Sequence, residues 1–205
     1  MRLEDGWQRT WTALGAPAPA ALLATLLARY AEPYRAYHTR RHLAECVAML
    51  EPAAHLAEHL GEVELALWFH DAVYDTRAHD NEAQSARWAQ ESMHRAGLDP
   101  AAGTRVHALV MATSHDGDPE GADARLLVDV DLSILGADEA RFAEYDQQIR
   151  FEYGWVPDAA YREGRARVLR RFIERASIYR TPWFADRLEA RARANLAHAL
   201  GRLAG

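Results

Sequence analysis

The chain has 205 residues, of which 49% are hydrophobic and 26% charged. This size suits one domain with a sizeable core, and a formal charge of −6 without a basic cluster argues against a nucleic-acid polymer as partner. The single cysteine excludes an internal disulfide, so we expect a cytoplasmic protein. We expect neither a signal peptide nor a membrane partner, because the start carries Glu4, Asp5 and two tryptophans and no apolar run approaches the ~20 residues of a membrane span.

Along the chain, apolar residues recur with helical spacing, which predicts an all-α fold. Turn-forming segments such as HDGDPEGAD at 115–123 and GWVPD at 154–158 separate the periodic stretches, and no long linker interrupts them. We therefore expect a single compact helical bundle over residues 1–205. The predicted helices span about 18–30, 40–51, 55–70, 80–97, 101–114, 123–136, 138–152, 158–177 and 182–202.

Two of these helices carry histidines where apolar residues are expected. His42 shares a helical face with Cys46 and Met49, so it should point toward the core. His70 ends the apolar run LALWF and directly precedes Asp71. A buried carboxylate costs several kcal/mol without a cation or hydrogen bonds, and a buried imidazole needs a partner too.

The segment RLLVDVDLSILGA at 125–137 adds two carboxylates to an apolar stretch. Asp131 has apolar residues at three- and four-residue spacing, whereas Asp129 has Arg125 and Ser133 among those neighbours, which predicts that Asp131 is the more buried. Taken singly, such residues have ordinary explanations, since buried histidines are usually hydrogen-bonded and Asp often caps a helix. Taken together, two imidazoles and two carboxylates suit Mn²⁺, Fe²⁺ or Zn²⁺ better than Ca²⁺.

The ordered set His42, His70-Asp71 and Asp131 resembles the HD-domain superfamily, all-helical metal-dependent phosphohydrolases named for the adjacent His-Asp pair. The similar segments, which resemble a subgroup described as predicted HD phosphohydrolases, are YHTRRHL, WFHDAVYD, DNEAQSA, DVDLSILGA, VPDAAYREGRARVL and IYRTPWF. The resemblance implies that these four residues hold one divalent transition-metal ion, with Mn²⁺ favoured and Asp129 as the fallback fourth ligand. It also implies in-line attack of a metal-activated hydroxide on phosphorus.

One position departs from part of that superfamily. Some members have a catalytic Glu three residues after the paired Asp, where this chain has Tyr74. Asp75 and Glu82 are therefore the candidates for orienting the water or protonating the leaving oxygen. Both have structural alternatives, because Asp75 could serve a turn and Glu82 would lie in the first turn of a helix that Asp80 could cap.

Four residues are candidates for contacting substrate: Arg165, His115, Arg41 and His38. Arg165 shares a helical face with Tyr161, Val168 and Phe172, which favours either a buried ion pair or a phosphate clamp. His115 follows a helical segment and could contact substrate or hold a metal ligand in place. The histidines between Asp71 and Asp131 include no adjacent pair, which favours one ion over two.

The sequence thus predicts an enzyme, a metal-dependent phosphomonoesterase or nucleotidase acting on a small phosphorylated substrate, with nucleotides favoured. One alternative is an HD-type oxygenase with two irons per chain. Another is a non-catalytic metal- or nucleotide-binding module, motivated by Tyr74. Homo-oligomerisation is left open.

Overall fold

The computed structural model describes residues 2–115 and 117–204. Within these ranges the chain forms α-helices and no strands, which confirms the predicted all-α class. None of the described helices is both long and apolar enough to cross a bilayer. The helices are α1 (Leu3–Ala13), α2 (Ala20–Arg29), α3 (Arg40–Ala53), α4 (Leu60–Phe69), α5 (Asn81–Arg95), α6 (Pro100–Ala112), α7 (Gly121–Asp131), α8 (Glu139–Glu152), α9 (Asp158–Ile173) and α10 (Pro182–Ala204).

The sequence prediction omitted α1, and the reason lies in its composition. Its sequence LEDGWQRTWTA contains Gly6 and two threonines, which are poor helix formers. Packing compensates for this weakness, because Trp7 and Trp11 lie one turn apart on the buried face with their ring centroids 5.4 Å apart. The Trp7 ring also lies 5.1 Å from that of Trp68 on α4.

Some predicted helix ends were also wrong. The predicted 123–136 helix ends at Asp131 and continues as a 3₁₀ segment, Leu132–Gly136. Another 3₁₀ segment, Ala54–Leu56, precedes α4, so this helix begins later than the predicted residue 55. Tight turns of this kind are frequent at helix ends, and they do not alter the period of the apolar residues from which helices are predicted.

The chain divides into two compact units, one ending at Asp131 and the other beginning at Leu132. The expected single domain stays a prediction. In the first unit α4 is the central helix, packed against α1, α3, α5, α6 and α7. This position explains its nearly continuous apolar sequence, since Leu65 to Phe69 are completely buried. In the second unit α10 packs against α8, α9 and the 3₁₀ segment Leu132–Gly136.

Candidate metal centre

His70 is held at the carboxyl end of the central helix α4. It is buried, and its ring Nδ1 donates a hydrogen bond to the Leu67 carbonyl at 2.7 Å. This bond places the ring proton on Nδ1 and leaves a lone pair on Nε2, which is the arrangement that a metal-binding histidine requires.

His42 approaches from α3. The Thr39 side chain caps this helix by accepting a hydrogen bond from the Arg41 amide, so His42 lies in the first turn. Its Nε2 lies 3.0 Å from Nε2 of His70. One turn further along α3, the buried Cys46 Sγ lies 3.7 Å from each ring nitrogen of His42.

Asp131 is the last residue of α7 and approaches the two histidines from that helix. Its Oδ1 lies 3.4 Å from His42 Nε2 and 3.5 Å from His70 Nε2. Its Oδ2 lies 3.1 Å from Nε2 of His115 and forms a hydrogen bond with it. His115 has a φ of 57°, in the left-handed region that costs a non-glycine residue about 1 kcal/mol or more. A histidine with a strained backbone thus forms a hydrogen bond with Asp131, and the predicted roles of His115 stay predictions.

The predicted order of burial between the two α7 carboxylates was wrong. Asp129 is completely buried, whereas the Asp131 side chain is 15% exposed. Asp131 is the last residue of α7 and is followed by the 3₁₀ segment Leu132–Gly136. Asp131 nevertheless approaches the two histidines, because helical geometry separates its direction from that of Asp129 by about 200°.

Asp71 completes the group. Its Oδ2 lies 3.0 Å from His70 Nε2 and 3.4 Å from His42 Nε2. This buried oxygen has no hydrogen bond to any described residue. Donor atoms bound about 2.0–2.2 Å from one ion are about 3.0–3.5 Å apart at ordinary coordination angles. The spacing of these donors and the unpartnered oxygen both fit a bound metal ion.

The four groups are strongly coupled by charge. Burial on its own would lower the pKa of His70, but Asp71 and Asp131 outweigh it and hold that pKa well above its ordinary value. Burial would likewise raise the pKa of Asp71, but His70 and other nearby histidines hold it well below its ordinary value. Without an ion, the carboxylates favour the protonated form of the histidines, and the histidines favour the ionised form of the carboxylates. An ion must displace those protons, so acid should compete with metal binding.

Arg35, which the sequence did not single out, supports the turn that carries Asp71. Its guanidinium is buried and donates to the carbonyl oxygens of Asp71 at 2.6 Å, His38 at 3.2 Å and Ala72 at 3.3 Å. It also pairs with Glu32 at 3.0 Å. The sequence near Arg35 does not indicate this role, because the two acceptors in the turn after α4 are 36 and 37 residues away.

Two of the predicted substrate residues lie around the start of α3. His38 is partly buried, with its ring centroid 5.8 Å from that of His42 and 4.2 Å from that of Tyr74. Tyr74, which occupies the position of the Glu found in some HD-domain proteins, is thus a neighbour of His38. Arg41 is exposed and pairs with Glu45 at 3.0 Å.

The two predicted acid–base residues lie between the end of α4 and the first turn of α5. Asp75 is exposed and its Oδ1 accepts a hydrogen bond from the Arg77 amide at 2.9 Å. Glu82 lies in the first turn of α5. Asp80 precedes that helix, but the expected capping bond is absent, since the Asp80 carboxylate accepts from the Gln84 side chain instead. Catalytic roles for Asp75 and Glu82 stay predictions.

Arg165 lies in the second unit and forms the buried ion pair that was one of its two predicted roles. It is 8% exposed, and its guanidinium donates to Oδ1 of Asp146 from Nη2 at 3.1 Å and from Nε at 3.3 Å. Its charge also lies 5.0 Å from the centre of the Tyr145 ring. A contact with substrate phosphate stays a prediction.

A second group of possible ligands lies elsewhere in the first unit. It comprises Glu58, His59 and Asp123, beside a cavity of about 470 Å³. The Asp123 carboxylate accepts from the Glu58 amide at 2.7 Å and from the His59 amide at 3.1 Å, and it contacts the His59 ring at 2.9 Å. These hydrogen bonds explain the cluster as a stabilised turn before α4.

The chain matches no protein-family model, no curated protein and no solved structure. Its similarity to the HD-domain superfamily therefore rests on the sequence segments alone.

Proposed function

We propose that this chain is a metal-dependent phosphohydrolase acting on a small phosphate ester, with nucleotides as the first substrate class to test. The observation that carries the proposal is the convergence of donor atoms from His42, His70, Asp71 and Asp131. Two nitrogens and two oxygens suit a divalent ion such as Mn²⁺, Fe²⁺ or Zn²⁺. The ordered His, His-Asp, Asp pattern and its resemblance to HD phosphohydrolases support phosphate-ester chemistry over other uses of such an ion.

A bound divalent ion supplies an acidified water and polarises a phosphoryl oxygen. The chain's own residues prepare the site for that chemistry. Leu67 holds His70 in the tautomer with a lone pair on Nε2, and His115 holds one oxygen of Asp131 so that the other faces the histidines. Tethered ligands of this kind need little reorganisation when substrate binds.

Substrate phosphate requires positive charge beyond the ion, and His38 and Arg41 flank His42 at the start of α3. We assign them to substrate binding within the proposal. Asp75 or Glu82 would protonate the leaving oxygen. Replacing either carboxylate should then lower kcat while leaving metal content unchanged.

The test begins with protein stripped by a chelator and reloaded with Mn²⁺, Fe²⁺, Co²⁺ or Zn²⁺. We expect phosphate release from a panel of nucleotides and phosphate monoesters that depends on the added ion. His70→Ala and Asp71→Ala should each abolish metal binding, and the double variant should be little worse because both residues serve one ion. His94→Ala, at an exposed position on α5, is the matched control and should bind metal normally.

Two results would contradict the proposal. One is a fully metal-loaded protein that is inactive across the panel. The other is full metal occupancy in His70→Ala or Asp71→Ala. Counting ions also addresses the oxygenase alternative, because two irons per chain would favour it over a hydrolase with one ion.

A further inference from the structure

Cys46 lies beside the proposed centre but is not among its four ligands. The thiol is buried, on the same face of α3 as His42. The donor atoms of His42, Cys46, His70 and Asp131 all lie within 4.8 Å of one another. The Asp71 carboxylate, 3.0 Å from His70 and 3.4 Å from His42, is a further potential donor beside these four.

The position of the sulfur fits coordination. A thiolate about 2.3 Å and an imidazole nitrogen about 2.0–2.1 Å from one tetrahedral ion are about 3.5–3.6 Å apart. Cys46 Sγ lies 3.7 Å from His42 Nε2, close to that spacing, and also 3.7 Å from Nδ1, so a turn of the thiol toward Nε2 would accompany binding of an ion there. The thiol therefore has three potential metal ligands, His42, His70 and Asp131, among its neighbours.

We propose that Cys46 is an additional metal ligand that makes the centre select Zn²⁺, Co²⁺ or Fe²⁺ over Mn²⁺. The inference rests on the proposed metal centre and deepens it. On binding, the thiol S–H bond breaks, its proton leaves to solvent and a sulfur–metal bond forms. Thiolates prefer softer ions, whereas carboxylates suit Mn²⁺, so a sulfur donor shifts the preference away from the Mn²⁺ expected from the sequence.

Cobalt provides the test, since Co²⁺ replaces Zn²⁺ and its absorption reports its ligands. Metal-free protein is titrated with Co²⁺ in thiol-free buffer. Visible bands report that the ion has entered the protein, and a near-ultraviolet charge-transfer band reports a sulfur ligand. Because the chain has one cysteine, a sulfur band at one bound Co²⁺ per chain in the wild-type protein can come only from Cys46. The wild-type spectrum decides the matter even if a cysteine variant fails to fold.

Variants then test selectivity. We expect Cys46→Ser to keep the visible bands, lose the near-ultraviolet band and lower the ratio of Zn²⁺ to Mn²⁺ affinity at least about tenfold. Val47→Ala, at the adjacent buried position on α3, is the packing control and should leave the band and the affinity ratio unchanged.

The outcomes separate the two proposals. Visible bands without a near-ultraviolet band in the wild-type protein would overturn the role of Cys46 and leave the metal centre standing. A sulfur band with an unchanged affinity ratio in Cys46→Ser would overturn the selectivity. Failure to bind Co²⁺ at all would overturn both the metal centre and the inference.

Discussion

Replacing Arg35 with Met should destabilise the protein and weaken its metal centre. Met keeps much of the apolar side chain but removes the guanidinium that donates to the Asp71 and Ala72 carbonyls. A buried acceptor left without its donor costs about 1–3 kcal/mol, so these two carbonyls predict a loss of about 2–6 kcal/mol, and the lost bond to the His38 carbonyl adds to it. Glu32 adds little to this loss, since it keeps its bonds to Arg29 and Tyr34.

Metal binding should weaken as well, because Asp71 carries both the carbonyl that Arg35 holds and a proposed ligand oxygen. Residues that hold a ligand in place typically affect metal affinity by about 10- to 100-fold, and we expect a loss in that range. Denaturant unfolding of metal-free protein gives the free energy of unfolding, and a competition titration with a chromophoric chelator gives the zinc affinity.

The matched control is Arg29→Met. Arg29 pairs with the same Glu32 at 3.0 Å, but its side chain is 53% exposed. An exposed pair contributes about 0–1 kcal/mol, so this variant should remain close to wild type in both measurements. If Arg35→Met unfolds within about 0.5 kcal/mol of wild type, the assigned hydrogen bonds do not stabilise the turn. A large stability loss with unchanged zinc affinity would refute the positioning role alone.

Three further predictions concern the remaining groups. Asp131→Asn should weaken metal binding more than Asp129→Asn, because Asp131 approaches the histidines; the reverse order in a metal titration would move the fourth ligand to Asp129. The raised pKa values of His42 and His70 should stabilise metal-free protein fully below their unfolded value of about 6.5, and this stability should be lost as the pH rises through the folded pKa values. The lowered pKa values of Asp71 and Asp131 should add stability above their unfolded value of about 3.9, and this stability should be lost as the pH falls through the folded pKa values. Metal binding at pH 7 should release up to about two histidine protons, measurable by titration calorimetry in buffers of different ionisation enthalpy, and no release would contradict the raised pKa values. If the ion pair with Asp146 is the whole role of Arg165, Arg165→Lys should lower the melting temperature and leave the Michaelis constant near wild type. A raised Michaelis constant would instead place Arg165 at the substrate.

Much of the fold follows from local patterns in the sequence. Helices such as α3 and α8 begin within one residue of their predicted starts, because apolar periodicity and capping residues act over only a few positions. The helix α1 was not predicted, because its stability comes from tryptophan packing against α4 and not from its own composition.

The candidate site likewise has some features that the local sequence determines and others that depend on tertiary packing. His70 and Asp71 are adjacent, and His42 and Cys46 are one helical turn apart, so the sequence alone brings each pair together. The resemblance to the HD-domain superfamily predicted that the two pairs meet with Asp131, but only the tertiary structure gives their distances, buries Asp129 elsewhere and shows that Arg35 supports the turn. These contacts join residues far apart in sequence, and the packing of α3, α4 and α7 sets their distances; no local pattern encodes that packing.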